Sequence, residues 1–336
     1  MISTGALDPI TGISQMLAHP FMARAFEAGT VIAATCGLVG YFLVLRAQVF
    51  TGDALSHVAF TGALIALAIG IDQRVGLFIG CVTFGVAMAL LGPRGRADDV
   101  VIGNTFAWIL GLGVLFLTIY TTSKGGGNGT AGVNVLFGSI FGLSAPQTAV
   151  VVAVGASLIA VMAAAARPLL FASIDEAVAA AVGVPVRALG IAFLALVGVS
   201  AGEATQAVGA LLLLGMLAAP AAAAQRITAR PYPAMALSVL LAVGSMWAGL
   251  ALAYAAPGLP PSFTILAFAT GIYVLTIIAS HIRRRRHTPF VWRRSPVRSV
   301  PPAGAGPVLR RVVRLSRRLS LGSRVLGRGS VDTPSR

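Results

Sequence analysis

Lysine occurs once in these 336 residues, at Lys124, between Ser123 and Gly125. A phosphate-gripping loop needs Gly-Lys followed by Ser or Thr, so any nucleotide-driven work must come from another polypeptide. Charge of every kind is sparse: Asp, Glu, Lys and Arg make up 10% of the chain, where a soluble domain carries roughly 25%. That scarcity excludes an ordinary soluble fold, and with 57% hydrophobic residues the chain reads as an integral membrane protein. Cysteine is also scarce. Cys36 and Cys81 lie inside apolar runs with no CxxC partner or metal-ligand spacing, which leaves packing as their expected role. The first 20 residues contain Asp8, Pro9 and His19 and lack a basic start followed by an apolar core. No cleavable signal peptide is therefore expected, and the first spanning helix is expected to direct insertion.

What is abundant is apolar sequence in lengths that match a bilayer. Runs of about 17–25 apolar residues signal membrane helices, and they fall near 26–46, 54–71, 75–92, 100–121, 146–166, 186–202, 206–226, 233–256 and 260–280. The fold class expected is all-α and polytopic, with about eight or nine crossings. Arg46, Arg94 and Arg96, Arg167 and Arg187, Arg226 and Arg230, and the Arg-rich tail fall in alternate loops, which marks those loops as cytoplasmic. Arg74, in a short turn of the opposite set, is the exception. A nine-helix count puts the N-terminus outside and the C-terminus inside, whereas an eight-helix count moves the N-terminus.

The net charge of +15 belongs almost entirely to the end of the chain. Residues 283–336 hold fifteen Arg against Asp332 alone, while 1–282 are nearly balanced. Three segments follow: an N-terminal segment over 1–20, a membrane domain over 21–281 and a basic cytoplasmic tail over 282–336. Within the tail, Val308, Val312, Leu315 and Leu319 share one helical face with arginines mostly opposite, a pattern suited to an anionic membrane surface. Disordered chain and nucleic-acid binding are the other readings of the same charges; no recognisable nucleic-acid module accompanies them, and no nucleic-acid partner is expected. The Gly-rich stretch 121–134 reads as an outer loop.

One membrane segment carries chemistry. "GDALSHVAFTGALIALAIG" (52–70) holds Asp53 and His57 four residues apart, with Thr61 one turn further on, so the three form a polar stripe on an apolar helix. An ionisable group at membrane depth needs a partner or a polar path to face. A carboxylate with an imidazole suits first-row divalent metals, and two ligands suit an ion that must leave again; a symmetric dimer would bring a second pair to the axis. The structural alternative makes Asp53 a helix cap and gives His57 an ordinary interhelix hydrogen bond. A second constellation, "SIDEAVAAAVGVPVR" (173–187), places Asp175 and Glu176 at the start of an Ala-rich turn that Gly183 and Pro185 end. Such a short helix between two spans is either a docking element for a soluble partner or a plain connector. Glu203, near a predicted outer turn, reads as a solvated surface charge.

Four motifs, "YFLVLRAQVFTGDALSHVAFTGALIALAIG" (41–70), "LFGSIFGLS" (136–144), "SIDEAVAAAVGVPVR" (173–187) and "QAVGALLLLGMLAAPAAAAQRIT" (206–228), together resemble the permease subunits of bacterial manganese, zinc and iron ABC importers. The resemblance runs from about residue 20 to 281. It implies a homodimeric, multi-pass permease of the bacterial plasma membrane, with ATP hydrolysis on a separate subunit and metal delivered by an extracytoplasmic binding protein. It implies further that Asp53 and His57 line the ion path, and that Asp175, Glu176 and Gly183 belong to the segment that contacts the ATPase. No covalently bound cofactor is expected; the metal is cargo, and Asp plus His accommodates manganese, zinc and iron alike. An ion- or proton-coupled secondary transporter using Asp53, His57 and Glu203 is the competing function, and a membrane scaffold with a recruiting tail is a third.

Overall fold

The computed structural model describes residues 18–92, 99–123, 136–210 and 213–286. The loop 121–134 and the amphipathic pattern at 308–327 fall largely or wholly outside the described residues. Nine longer helices carry the described chain: α1 (Pro20–Leu45), α2 (Val49–Ile69), α3 (Gln73–Leu91), α4 (Asp99–Ser123), α5 (Ala145–Ile174), α7 (Val186–Val208), α8 (Leu213–Ile227), α9 (Pro231–Ala255) and α10 (Pro261–Arg286). A six-residue helix, α6 (Glu176–Ala181), joins α5 to α7, and a single 3-10 turn (Ile140–Gly142) precedes α5. Proline opens α1, α9 and α10, where its missing N–H removes no helical bond. Among the described residues eight helices are long and apolar enough to cross a membrane.

The ninth, α8, corrects the reading of 206–226 as one uniform span. Helix α7 continues to Val208 and stops at Gly209, whose φ of +91° places it outside the range most side chains adopt. Helix α8 then has 15 residues, about 22 Å of rise against a hydrocarbon layer of about 30 Å. Its neighbours are α1, α2, α9 and α10, and Gly209 itself packs against the backbone of Leu136 and Phe137. The first helix likewise begins at Pro20, six residues before the apolar run that marked it.

Helix α1 is the axis of the bundle: 72% of its apolar window is buried, against 17% for α4 and 22% for α10. Helices α5, α7, α8 and α9 pack around α1, while α2 and α3 form a pair against α7. Side-chain hydroxyls and amides tie these helices to one another's carbonyls. Ser238 Oγ donates to Gly37 O at 2.6 Å, Thr264 Oγ1 to Gly249 O at 2.8 Å and Gln225 Nε2 to Tyr41 O at 2.9 Å. Such bonds in a membrane contribute about 0.6 kcal/mol each. The last of them puts the ends of α1 and α8 together, and with them Arg46 and Arg226. At the other end Ser139 N donates to Gln206 O, and Gln73, Ser139, Gln147 and Gln206 line one outer groove. Arg46 and Arg226, two of the loop arginines, thus share one end of the bundle.

Helices α2 and α3 meet backbone to backbone at Gly62 and Gly76, where a Cβ on either would run into the other's carbonyl oxygen. Gly62→Val should push them apart and cost about 1–3 kcal/mol, as overpacking does. Gly244 on α9 has open space around it, so Gly244→Ala should leave stability unchanged or slightly higher. Melting curves of detergent-solubilised protein, followed by size-exclusion fluorescence, check both.

Candidate metal site

Helix α2 starts at Val49, and its N-cap, Gln48, makes no side-chain capping bond. Asp53 is the fifth residue of the helix, too far in to cap its end. The polar stripe turns instead toward α4. Asp53 is half-buried and lines a cavity of about 440 Å³ with Phe50, Asp99, Ile102, Gly103 and Phe106. One turn on, the half-buried His57 ring meets Phe106 edge to face, with centroids 4.9 Å apart and planes at 88°. Another turn on, the Thr61 hydroxyl donates to Ile109 O at 3.1 Å. All three residues therefore face protein, as an ionisable stripe at membrane depth requires.

The stripe divides by function. Thr61 is satisfied and clamps α2 to α4, whereas the Asp53 carboxylate and the His57 nitrogens have no side-chain hydrogen bond among the described residues. Ser56 spends its hydroxyl on the backbone carbonyl of Asp53, not on its carboxylate. Among the described residues an ordinary interhelix hydrogen bond from His57 is thus absent, and neither polar head is used within the bundle. Among the described residues no third His, Cys, Asp or Glu joins them in a cluster able to hold a metal. Asp99 shares the Asp53 cavity, and sequence reasoning passed over it because it lies in a charged connection, "RADD", that looks like plain solvated loop.

Asp175 is at once the last cap of α5 and the first cap of α6, where its Oδ1 accepts from Val178 N at 3.0 Å. Ala179 packs with Ala172 and Val186 beneath α6. Ile174, Val178 and Val182, four residues apart in turn, stay exposed at 66%, 47% and 65%. Gly183 ends the segment with φ +89°, a conformation that favours glycine. The segment is therefore a short capped helix with a row of apolar side chains left uncovered.

Glu203 is not on the surface. It is 0% exposed, on the last turns of α7, and both of its carboxylate oxygens lack a hydrogen-bond partner. The expected outer turn lies further along, because α7 runs on to Val208. Arg46, the buried cation at the other end, sits over the Phe193 ring at 5.1 Å.

A model of the ABC 3 transport family matches residues 18–280. Relatives similar to the chain include the manganese transport system membrane protein MntC of Halalkalibacterium halodurans, 29% identical over 70% of this chain and 80% of that one. Another is the chelated iron transport system membrane protein YfeD of Yersinia pestis, 27% identical over 81% and 89%. Among solved structures, PsaBC from Streptococcus pneumoniae in complex with Fab superposes with a TM-score of 0.68 at 24% identity, over 80% of this chain and 95% of that one. At that identity the superposition establishes the fold.

Asp175→Ala removes the cap of a six-residue helix and should cost it about 1 kcal/mol, whereas Asp175→Asn keeps a capping oxygen. Hydrogen exchange over 176–182 should speed up severalfold in the alanine variant and stay near wild type in the asparagine variant.

Proposed function

The chain belongs to the ABC 3 transport family, and from that premise we propose that it is the membrane permease of an importer that carries a divalent transition metal into the bacterial cytoplasm. It is a multi-pass membrane protein and a transport subunit, not an enzyme. The observation that supports the metal assignment is the pair of polar heads on α2: Asp53 and His57 sit one turn apart, half-buried, facing protein and, among the described residues, without side-chain hydrogen bonds. Manganese and chelated-iron permeases among its relatives fit the carboxylate and imidazole donors.

Two ligands hold an ion loosely. A second copy of the chain would supply another Asp53 and His57, raising the donor count to four while keeping the ion exchangeable. The homodimer, the separate ATPase and the extracytoplasmic metal-binding protein are parts of this proposal. The ATPase would dock on α6, where Ile174, Val178 and Val182 offer an exposed apolar row beside Asp175 and Glu176. Transport is assigned to the helices within 21–281, and the basic tail at 282–336 to the cytoplasmic surface.

Asp53→Asn and His57→Ala should each lower uptake of radiolabelled manganese, zinc or iron about tenfold or more, and the double variant should be little worse, since groups acting as a unit give non-additive losses. Uptake is measured in cells lacking their own importer and normalised to permease in the membrane fraction; near-normal uptake by both single variants refutes the site. Gly183 has open space where a Cβ would stand, so Gly183→Ala tests backbone strain alone, about 1–2 kcal/mol. Gly183→Glu adds a charge beside the apolar row. Co-purification of the ATPase should fall more for the glutamate than for the alanine variant, and equal, wild-type association in both would make α6 a plain connector.

A further inference from the structure

Arg74, the arginine that departs from the alternation of loop charges, has no part in metal transport through Asp53 and His57. It is the second residue of α3, and Asp72 caps that helix by accepting from Arg74 N at 2.8 Å. That bond uses the backbone N–H; among the described residues the guanidinium makes no hydrogen bond or ion pair. The packing of α3 on α7 fixes what lies beneath it. Gly198 meets Cys81 and Gly202 meets Leu77 and Phe78, so the next turn outward pairs Gln206 with Arg74. Both line a crevice of about 330 Å³ between α3, α5 and α7, and Gln147 of α5 joins them there. The same three residues line the polar outer groove, which makes them the outer rim of the crevice. Inward of the rim the walls are apolar, with Val75, Phe78 and Ile79 from α3 and Val150, Val151 and Val154 from α5. Glu203 closes the floor from α7, its carboxylate oxygens buried. Helices α3 and α5 both pack on α7 but scarcely on each other, and Val75, Ile79 and Val150 stay exposed, so the crevice opens sideways between them. From Gln147 to Val154 it follows about 10 Å of helix, roughly two thirds of one leaflet's hydrocarbon.

We propose that this crevice binds one acyl chain of an outer-leaflet phospholipid, whose phosphate is held at the rim by Arg74 with Gln147 and Gln206. A guanidinium meets a phosphate through two parallel N–H···O bonds, and at the edge of hydrocarbon it needs such an anion to face. Gln147 Oε1 accepts from Ser144 N at 2.9 Å, which leaves its amide N–H groups for the phosphate. A soluble anion would use the rim and leave the valine walls bare; an apolar ligand without phosphate would use the walls and leave Arg74 bare. A phospholipid answers both, and the open side lets it enter from the bilayer. Lipid tails are as apolar as these walls, so packing and the headgroup bonds hold the chain, with no hydrophobic gain from the tail itself. Asp72 beside Arg74 balances the charge of the rim, so the site recognises phosphate and admits zwitterionic and anionic phospholipids alike. Bound there, the lipid ties α3 to α5, which otherwise meet mainly through α7. Lipid binding at this place needs the membrane setting of α3, α5 and α7 and not the metal-import reading, so either can fail alone.

The test uses the full-length chain, delipidated in maltoside detergent, and phosphatidylcholine with a photoactivatable diazirine midway along one acyl chain. A diacylglycerol with the same labelled chain serves as the probe without phosphate. After illumination, labelled residues are mapped by peptide mass spectrometry. Phosphatidylcholine should label 75–79 and 150–154 severalfold more than Trp247 and Leu252, exposed residues on the outer half of α9, whereas diacylglycerol should label both regions alike. Arg74→Gln should lower the crevice labelling about tenfold, as loss of a charge-assisted contact does, and Arg74→Lys should restore part of it. Val150→Trp, which fills the crevice from α5 and leaves Arg74 in place, should abolish the labelling; Arg24→Gln, on the first turns of α1, should leave it unchanged. Equal labelling by the two probes in wild type overturns the proposal, and so does a loss in Arg24→Gln that matches the loss in Arg74→Gln. Displacement of the phosphatidylcholine probe by inorganic phosphate would make the rim a site for soluble anions. A Glu203→Gln variant that reproduces the Arg74→Gln loss would make Glu203 the partner of Arg74 in place of a lipid. Ready disulfide formation between two copies of Ile79→Cys, with no lipid labelling in wild type, would assign the crevice to a contact between copies.

Discussion

Inside a bilayer a polar head has no water to fall back on, and the architecture of this chain follows from how each such head is answered. Hydroxyls and amides are answered by backbone carbonyls of neighbouring helices: Ser238 by Gly37, Thr264 by Gly249, Gln225 by Tyr41, Thr61 by Ile109. These bonds require helices close enough to reach, which is why small residues stand at the crossings and why α2 and α3 touch at Gly62 and Gly76. Not every head is answered among the described residues: the Thr51 and Ser200 hydroxyls and both Glu203 oxygens are buried without a hydrogen-bond partner, and Glu203 lines the cavity between α3, α5 and α7.

Most of the fold was legible because a bilayer imposes a length. Each long helix was visible as an apolar run, and Arg46 and Arg226, read as lying on one side, do share one end of the bundle. The failures were local. "QAVGALLLL" is apolar throughout, so hydropathy cannot see the stop at Gly209, which is set by backbone conformation and by Leu136 and Phe137 packed against it. Pro20 opens α1 six residues early because polar and charged residues on its first turns do not interrupt a helix that hydropathy alone would start later.

The site was legible in part, for related reasons. Asp53, His57 and Thr61 announced themselves by spacing, and the structure separates the clamp, Thr61, from two heads with no side-chain hydrogen bond among the described residues. Glu203 was misread because proximity to a predicted turn was taken for exposure. Its surroundings, "SAGEATQ", are small residues that let neighbouring helices close over it, a signal of burial that outweighs one charge. Asp99 could not be found from sequence at all, since only the fold of α4 onto α2 brings it to the Asp53 cavity.

Asp175 closes α5 and opens α6 with no residue between them. A joint without slack cannot absorb displacement, so α6 and α5 behave as crank and shaft. The shaft has 30 residues, about 45 Å of rise, and carries Gln147 near one end and Gly155 beside Glu203. A tilt of about 5° would swing its far end by about 4 Å over that length, more than a water molecule's width. Pro168, two turns above the joint, removes one helical hydrogen bond and is where the shaft can flex. With Pro168 as the point of flexure, the length from there to the outer end, and not the whole helix, sets how far that end moves for a given tilt.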